Sequence, residues 1–260
     1  MANTTVWLTW LPPEAEDRPG PQDTIAFLTH SGLQVGGAPW VDDPANLAWA
    51  ELGNLLIGEK APDVWLIAGE AADFQAPATR YALSMIAAMV REAEGTPAIA
   101  CFALDGGLES DALPSLLRQA LLLDGNDFGW AAKLLNARAA TAADDFRLTV
   151  IAQRLIGQWI EVGPRAGAWQ GAMVGIGEGG KITHHAVGVR GQLPERAVLE
   201  YPLEGLEAEL GGTKVNAWAV QNALGPEESY FVRIEGQPAR IILGQHPESD
   251  TPEVRVLDLI

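Results

Sequence analysis

Val64-Trp65-Leu66-Ile67-Ala68 is an unbroken apolar run stopped by Gly69. It is too short for a globular helix, and no polar residue alternates with the apolar ones. Such a run reads as a strand buried on both faces. Ala98-Ile99-Ala100-Cys101-Phe102-Ala103-Leu104 repeats the pattern and ends at Asp105-Gly106-Gly107. Between them, Ala78 to Glu92 has the spacing of a helix. Upstream, Val6-Trp7-Leu8-Thr9-Trp10-Leu11 reads as a strand, ended by Pro12-Pro13. Gln22 to Ser31 reads as a helix with Ile25 and Leu28 on one face and Gly32 as its stop. Leu33-Gln34-Val35 fits a second strand. A helix opening at Asp43 or Pro44 has Leu47, Leu52, Leu55 and Leu56 for its apolar face. Leu113 to Leu122 reads as a further helix. Doubly apolar strands alternating with helices predict a parallel sheet covered on both sides. The expected fold class is α/β, with an open, flavodoxin-like domain over residues 1–125.

Residues 126–164 read as a helical connector, because Phe146, Val150, Ile151, Leu155 and Trp159 recur at helical spacing. After Pro164 the pattern changes. Ala172-Met173-Val174-Gly175-Ile176 and Ile182 to Val189 flank Glu178-Gly179-Gly180-Lys181, a β-hairpin signal. Further strands are expected over Ala197–Tyr201, Val215–Val220, Tyr230–Ile234, Ala239–Leu243 and Val254–Ile260, the last paired into a sheet. Residues 165–260 are therefore expected to form an antiparallel β-sandwich or barrel.

The chain has 260 residues and a formal charge of −17. That charge repels phosphate backbones and anionic lipid, which argues against nucleic acid or a membrane surface as partner. Residues 1–126 hold 5 basic and 17 acidic side chains, and residues 127–260 hold 12 and 17, so most of the excess lies in the first half. Cys101 is the only cysteine, so neither an intrachain disulfide nor a thiolate metal cluster is expected. The start, Met1-Ala2-Asn3-Thr4-Thr5, lacks the pattern of a secretory signal. Tyr81 to Val90, between Arg80 and Arg91, is about half the length that crosses a bilayer. A cytoplasmic protein is the expectation.

Several motifs invite a chemical reading. Gly175-Ile176-Gly177-Glu178-Gly179-Gly180-Lys181 has the GxxxxGK spacing of a phosphate loop. Ile182 follows where that loop needs Ser or Thr, and the next residues look extended rather than helical. Cys101 sits inside a strand with no sharp turn, so it reads as a small buried hydrophobe rather than a nucleophile. His184 and His185 are adjacent on a strand and point to opposite faces, which disfavours a shared metal ion; His246 is the third histidine of this half. His30 suits the C-terminal end of a helix. No cofactor or metal is expected.

The positional candidates are carboxylates. Ligands of open parallel sheets bind beyond the carboxyl ends of the strands. Those ends lead into Glu14, Glu16 and Asp17, then Glu70 and Asp73, then Asp105 and Glu109. Glu14, Asp17, Glu70, Asp73 and Asp105 are the catalytic candidates if the chain is an enzyme, such as a hydrolase or one processing NAD or nucleotides. The competing reading is a solvated acidic rim. Nine tryptophans are many for this length. Trp65 and Trp159 read as core, whereas Trp40, Trp169 and Trp218 are the candidates for stacking on a sugar.

Val6 to Trp10, Thr24-Ile25-Ala26-Phe27-Leu28, Ser31-Gly32-Leu33-Gln34-Val35, Asp63-Val64-Trp65-Leu66-Ile67 and Pro97-Ala98-Ile99 follow one another as in a Toll/interleukin-1 receptor (TIR) domain. The first ~105 residues resemble that family. The resemblance implies a flavodoxin-like fold and, in NAD-cleaving members, a glutamate in the helix after the third strand. The matching stretch here, Gln75 to Met85, has no acidic residue. The resemblance therefore implies a degenerate, scaffolding role. The functional expectation is a non-catalytic, two-domain acidic protein for interaction or ligand sensing, with a protein or small-ligand partner and room for a homo-oligomer. An enzyme with an acidic site at the sheet edge and a carbohydrate-binding β domain are the alternatives.

Overall fold

The computed structural model describes residues 4–11, 20–93, 95–139, 144–210, 213–246 and 254–260. The chain divides into two compact units, Met1–Leu83 with Ala93–Thr141, and Ser84–Glu92 with Ala142–Ile260.

In the first unit, β1 (Thr5–Trp10), β2 (Gln34–Pro39), β3 (Val64–Gly69), β4 (Ala98–Ala103) and β5 (Leu121–Asp124) form one parallel sheet in the order β2-β1-β3-β4-β5. Its helices are α1 (Pro21–His30), α2 (Ala48–Leu55) and α4 (Trp130–Leu135), while α3 (Pro77–Glu92) belongs to the first unit up to Leu83 and to the second from Ser84. All positions of β3 are buried, as its unbroken apolar run requires. On one face of the sheet, Leu8, Leu66, Ala100 and Phe102 pack with Leu28 of α1 and Trp130 and Leu134 of α4. Each fully buried aliphatic side chain there contributes roughly 1.5–3 kcal/mol. Toward the other face, Trp65 Nε1 donates to Thr9 Oγ1 at 3.0 Å, which satisfies the buried indole. Residues Tyr81 to Val90 of α3 are buried throughout, as for a helix apolar on all sides.

The helix expected over Leu113–Leu122 is corrected. Two short 3-10 turns, Ser110–Ala112 and Ser115–Leu117, lead instead into β5. Pro114 holds Leu113 extended at ψ 154°, which stops a helix before it starts. The short apolar run beyond it pairs with β4, Leu121 beside Ala100 and Leu123 beside Phe102.

The second unit is antiparallel. β6 (Phe146–Gln153), β7 (Gly157–Pro164), β12 (Glu228–Gly236) and β9 (Gly180–Val189) make one sheet in the order β6-β7-β12-β9. β10 (Leu203–Leu210), β11 (Thr213–Leu224), β8 (Trp169–Ile176), β13 (Arg240–Gln245) and β14 (Arg255–Asp258) make the other, in the order β10-β11-β8-β13-β14. The ring of His185 on β9 meets that of Trp218 on β11, so the sheets stack as a sandwich.

Three expectations are corrected here. The helical connector is a hairpin, β6 and β7, and among the described residues of that stretch only α4 is helical. Phe146, Leu148, Val150 and Ala152 are all buried, a strand period of two, and Leu155 of the supposed helical face is 95% exposed at the turn. The supposed hairpin across Glu178-Gly179-Gly180-Lys181 is a corner: β8 pairs with β11 and β13, and β9 pairs with β12 in the other sheet. Gly179 makes that corner at φ +90°, where a Cβ would stand 2.5 Å from the Gln237 carbonyl oxygen. Ala197–Tyr201 is not a strand, and the strand begins at Leu203. The chain's last strand is paired as expected, Arg255 to Asp258 running beside β13.

Candidate functional site

The parallel sheet does bring carboxylates from two strand ends to one place. Asp73 Oδ2 accepts the Glu70 amide at 2.9 Å, and Asp105 Oδ1 accepts the Ala71 amide at 2.8 Å. Both therefore act on the turn that follows β3. Asp124 Oδ1 accepts the Asn126 amide at 2.8 Å, and Asn126 Nδ2 donates to the Asp105 carbonyl oxygen at 3.1 Å. Gly106, at φ +76°, lets the β4 and β5 loops touch, because a Cβ there would lie 2.7 Å from Asn126 Nδ2 and Asp124 Oδ1. These contacts give the carboxylates a mechanical role, which is to tie the loops beyond β3, β4 and β5 together. Glu109 is exposed. Glu14, Glu16 and Asp17 lie outside the described residues. Among the described residues, no group of three or more His, Cys, Asp or Glu side chains could hold a metal ion.

Cys101 is fully buried in β4, and burial pushes its thiol up to about 12, so it is a thiol at neutral pH. The GxxxxGK segment leads into β9 and not into a helix, so no helix N-terminus supplies amides to a phosphate there. His184 is exposed and His185 buried, on opposite faces of β9. His246 is half-buried after β13. Trp65 is fully buried, Trp159 is half-buried on a strand, and Trp40, Trp169 and Trp218 are half-buried.

Three features of the second unit escaped sequence reasoning. The first is a buried ion pair on the outer side of the four-stranded sheet. Arg147 Nη1 stands 3.7 Å from Glu161 Oε1, and both side chains are buried. Glu161 Oε1 also accepts from Ser229 Oγ at 2.7 Å and from the Gly191 amide at 2.9 Å. Arg147 donates to the carbonyls of Pro164 and Glu228. The Gly191 contact clamps the connection after β9 onto this sheet.

The second feature lies between the sheets. His185 Nδ1 is 2.8 Å from the Tyr230 hydroxyl, and His185 Nε2 is 3.3 Å from Glu204 Oε1. Burial holds the imidazole below the usual histidine range, and the Glu204 carboxylate pulls the other way. Burial, with Glu204 second, pushes the Tyr230 phenol well above its usual value. At neutral pH the imidazole is uncharged and the phenol protonated.

The third feature is β10, at the edge of its sheet. Leu206 pairs with Ala217, Glu207 with Asn216 and Glu209 with Lys214. Paired residues share a face, so Leu206 and Ala217 look one way and Glu207, Glu209, Asn216 and Lys214 the other. Ala217 packs with Met173 and Ala219, while Leu203 and Leu206 at the rim are 40% and 39% exposed. On the glutamate side opens a cleft of about 510 Å³, lined by Glu178, Glu207, Glu209, Lys214, Asn216 and Ile176 among others. The alternation Leu206-Glu207-Ala208-Glu209-Leu210 was the available sequence signal.

No protein-family model and no curated protein sequence matches the chain.

Proposed function

We propose that the chain is a non-catalytic acidic protein that works by binding. Its first unit is a flavodoxin-like scaffold related to TIR domains, and its second unit carries the binding edge. The strand order β2-β1-β3-β4-β5 supports the flavodoxin-like reading. The absence of an acidic residue from Gln75 to Met85 supports a TIR-like scaffold without the catalytic glutamate. The observation that carries the proposal is β10: an edge strand on which Leu203, Leu206, Glu207 and Glu209 are exposed. A strand edge with exposed apolar side chains is a template for another chain. The test is incubation of the purified chain with NAD, nucleoside triphosphates and simple esters. No turnover is expected, and turnover that persists through purification overturns the proposal.

One observation favours a second reading, an enzyme acting at the parallel-sheet edge. Asp73 and Asp105, from different loops, converge on one turn. That reading requires Asp105→Asn or Glu70→Gln to abolish an activity while leaving the melting temperature unchanged.

A further inference from the structure

We propose that β10 is a strand-addition site for an extended segment in which Lys or Arg alternates with apolar residues. This rests on the reading of β10 as the binding edge and names the chemistry of what binds. An edge strand offers a row of backbone N–H and C=O groups that its single neighbour cannot use. Here the neighbour is β11, and among the described residues no strand lies on the other side of β10. A bulge between Leu203 and Leu206, with Gly205 at φ +68°, confines regular pairing to the stretch from Leu206 to Leu210.

The two faces of that stretch select the occupant. A strand added beside β10 continues the sheet, so its side chains fall alternately on the leucine face and on the glutamate face. On the leucine face they meet Leu206, next to the buried Ala217 and Met173. On the other face they meet Glu207 and Glu209 and overhang the cleft, where Glu178 adds a third carboxylate and Lys214 the one cation among the described lining residues. Apolar side chains on the first face and cationic ones on the second complement both.

A second copy of this chain does not. Antiparallel self-pairing that keeps each face continuous, centred on residue 208, sets Glu207 opposite Glu209, twice. Like charges directly opposite destabilise a strand pair. The same glutamates that bar a copy favour a basic segment, and the net charge of −17 attracts one to the chain.

The test uses the full chain and three fluorescein-labelled ten-residue peptides, alternating Val with Lys, with Glu or with Ser, followed by fluorescence anisotropy. The Lys peptide is expected to bind saturably and to weaken with salt. It should bind at least about tenfold more weakly to Glu207→Lys/Glu209→Lys, since removing two opposed charges and adding two repulsive ones exceeds about 1.4 kcal/mol. The Glu peptide should prefer that double variant. Both glutamates are exposed, and circular dichroism checks that the variant is folded. A Lys peptide N-methylated at alternate residues, on the edge facing β10, keeps its charge and should lose binding. Equal binding by wild type and double variant, or by methylated and plain peptide, overturns the proposal. Binding of the Ser or Glu peptide in preference to the Lys peptide by the wild type overturns the partner chemistry and leaves the binding edge standing. No binding of any peptide overturns both.

Discussion

The chain places acidic side chains at two kinds of sheet boundary, and they behave differently. At the carboxyl end of the parallel sheet, Asp73, Asp105 and Asp124 each accept a backbone amide at 2.8–2.9 Å. Along β10, Glu207 and Glu209 stand in solvent beside a cleft. The first group lies where α/β folds usually bind ligands, yet one oxygen of each aspartate is engaged in holding a loop. The second lies on an edge strand in the other unit, where position in the chain suggested nothing. An acid's place in a fold is therefore a weaker guide to its role than what its oxygens already touch.

Substitutions separate the two kinds of acid. The largest effect is expected where an acid is engaged most deeply. Glu161→Ala leaves the Arg147 guanidinium buried without its carboxylate and should destabilise the second unit by about 3–5 kcal/mol, seen as a large fall in melting temperature or loss of soluble protein. A smaller effect is expected at the parallel-sheet edge. Asp105→Ala removes the acceptor of the Ala71 amide and should cost about 0.5–2 kcal/mol in chemical denaturation, comparable to loss of a helix cap. Glu207→Ala should change stability by no more than about 0.5 kcal/mol, as at an exposed position. If Asp105→Ala and Glu207→Ala cost the same, the distinction between engaged and solvent-facing acids fails.

A pH scan probes Glu204, the glutamate of β10 that reaches inward. The His185 imidazole is held below its unfolded value of about 6.5, so the folded state binds fewer protons than the unfolded state below that pH. Its contribution is fully present above pH ~6.5 and is lost as pH falls through the folded value. The melting temperature should fall from pH 7.5 to pH 5.5, and His185→Gln should flatten that fall. Each 1 kcal/mol corresponds to roughly 2–4 °C. An unchanged slope in His185→Gln would assign the pH dependence to other groups.

The parallel sheet was legible because Val64–Ala68 and Ala98–Leu104 are apolar without alternation, which only a strand covered on both faces explains. The hairpin of β6 and β7 was not. Phe146, Val150, Ile151, Leu155 and Trp159 satisfy a helical period while Phe146, Leu148, Val150 and Ala152 satisfy a period of two, and the sheet decided between them. β10 was obscured by composition, since Leu, Glu and Ala are good helix formers and the pairing with β11 overrides that preference. Position in the sheet pointed to Asp73 and Asp105, which meet at the turn after β3. Their engagement was not visible, because Ala71 and Asp105 are 34 residues apart in sequence and meet only when the sheet forms.

Strand addition requires that β10 offer an open backbone edge to a basic, extended partner. Hydrogen–deuterium exchange of the full chain, with and without the Lys-alternating peptide, tests it most directly. In the free chain, the amides of Leu206 to Leu210 that point away from β11 should exchange rapidly. With saturating peptide those same amides should slow at least about tenfold, while the parallel sheet is unaffected. Protection of these amides already present in the free chain, or peptide binding that leaves their exchange unchanged, would contradict it.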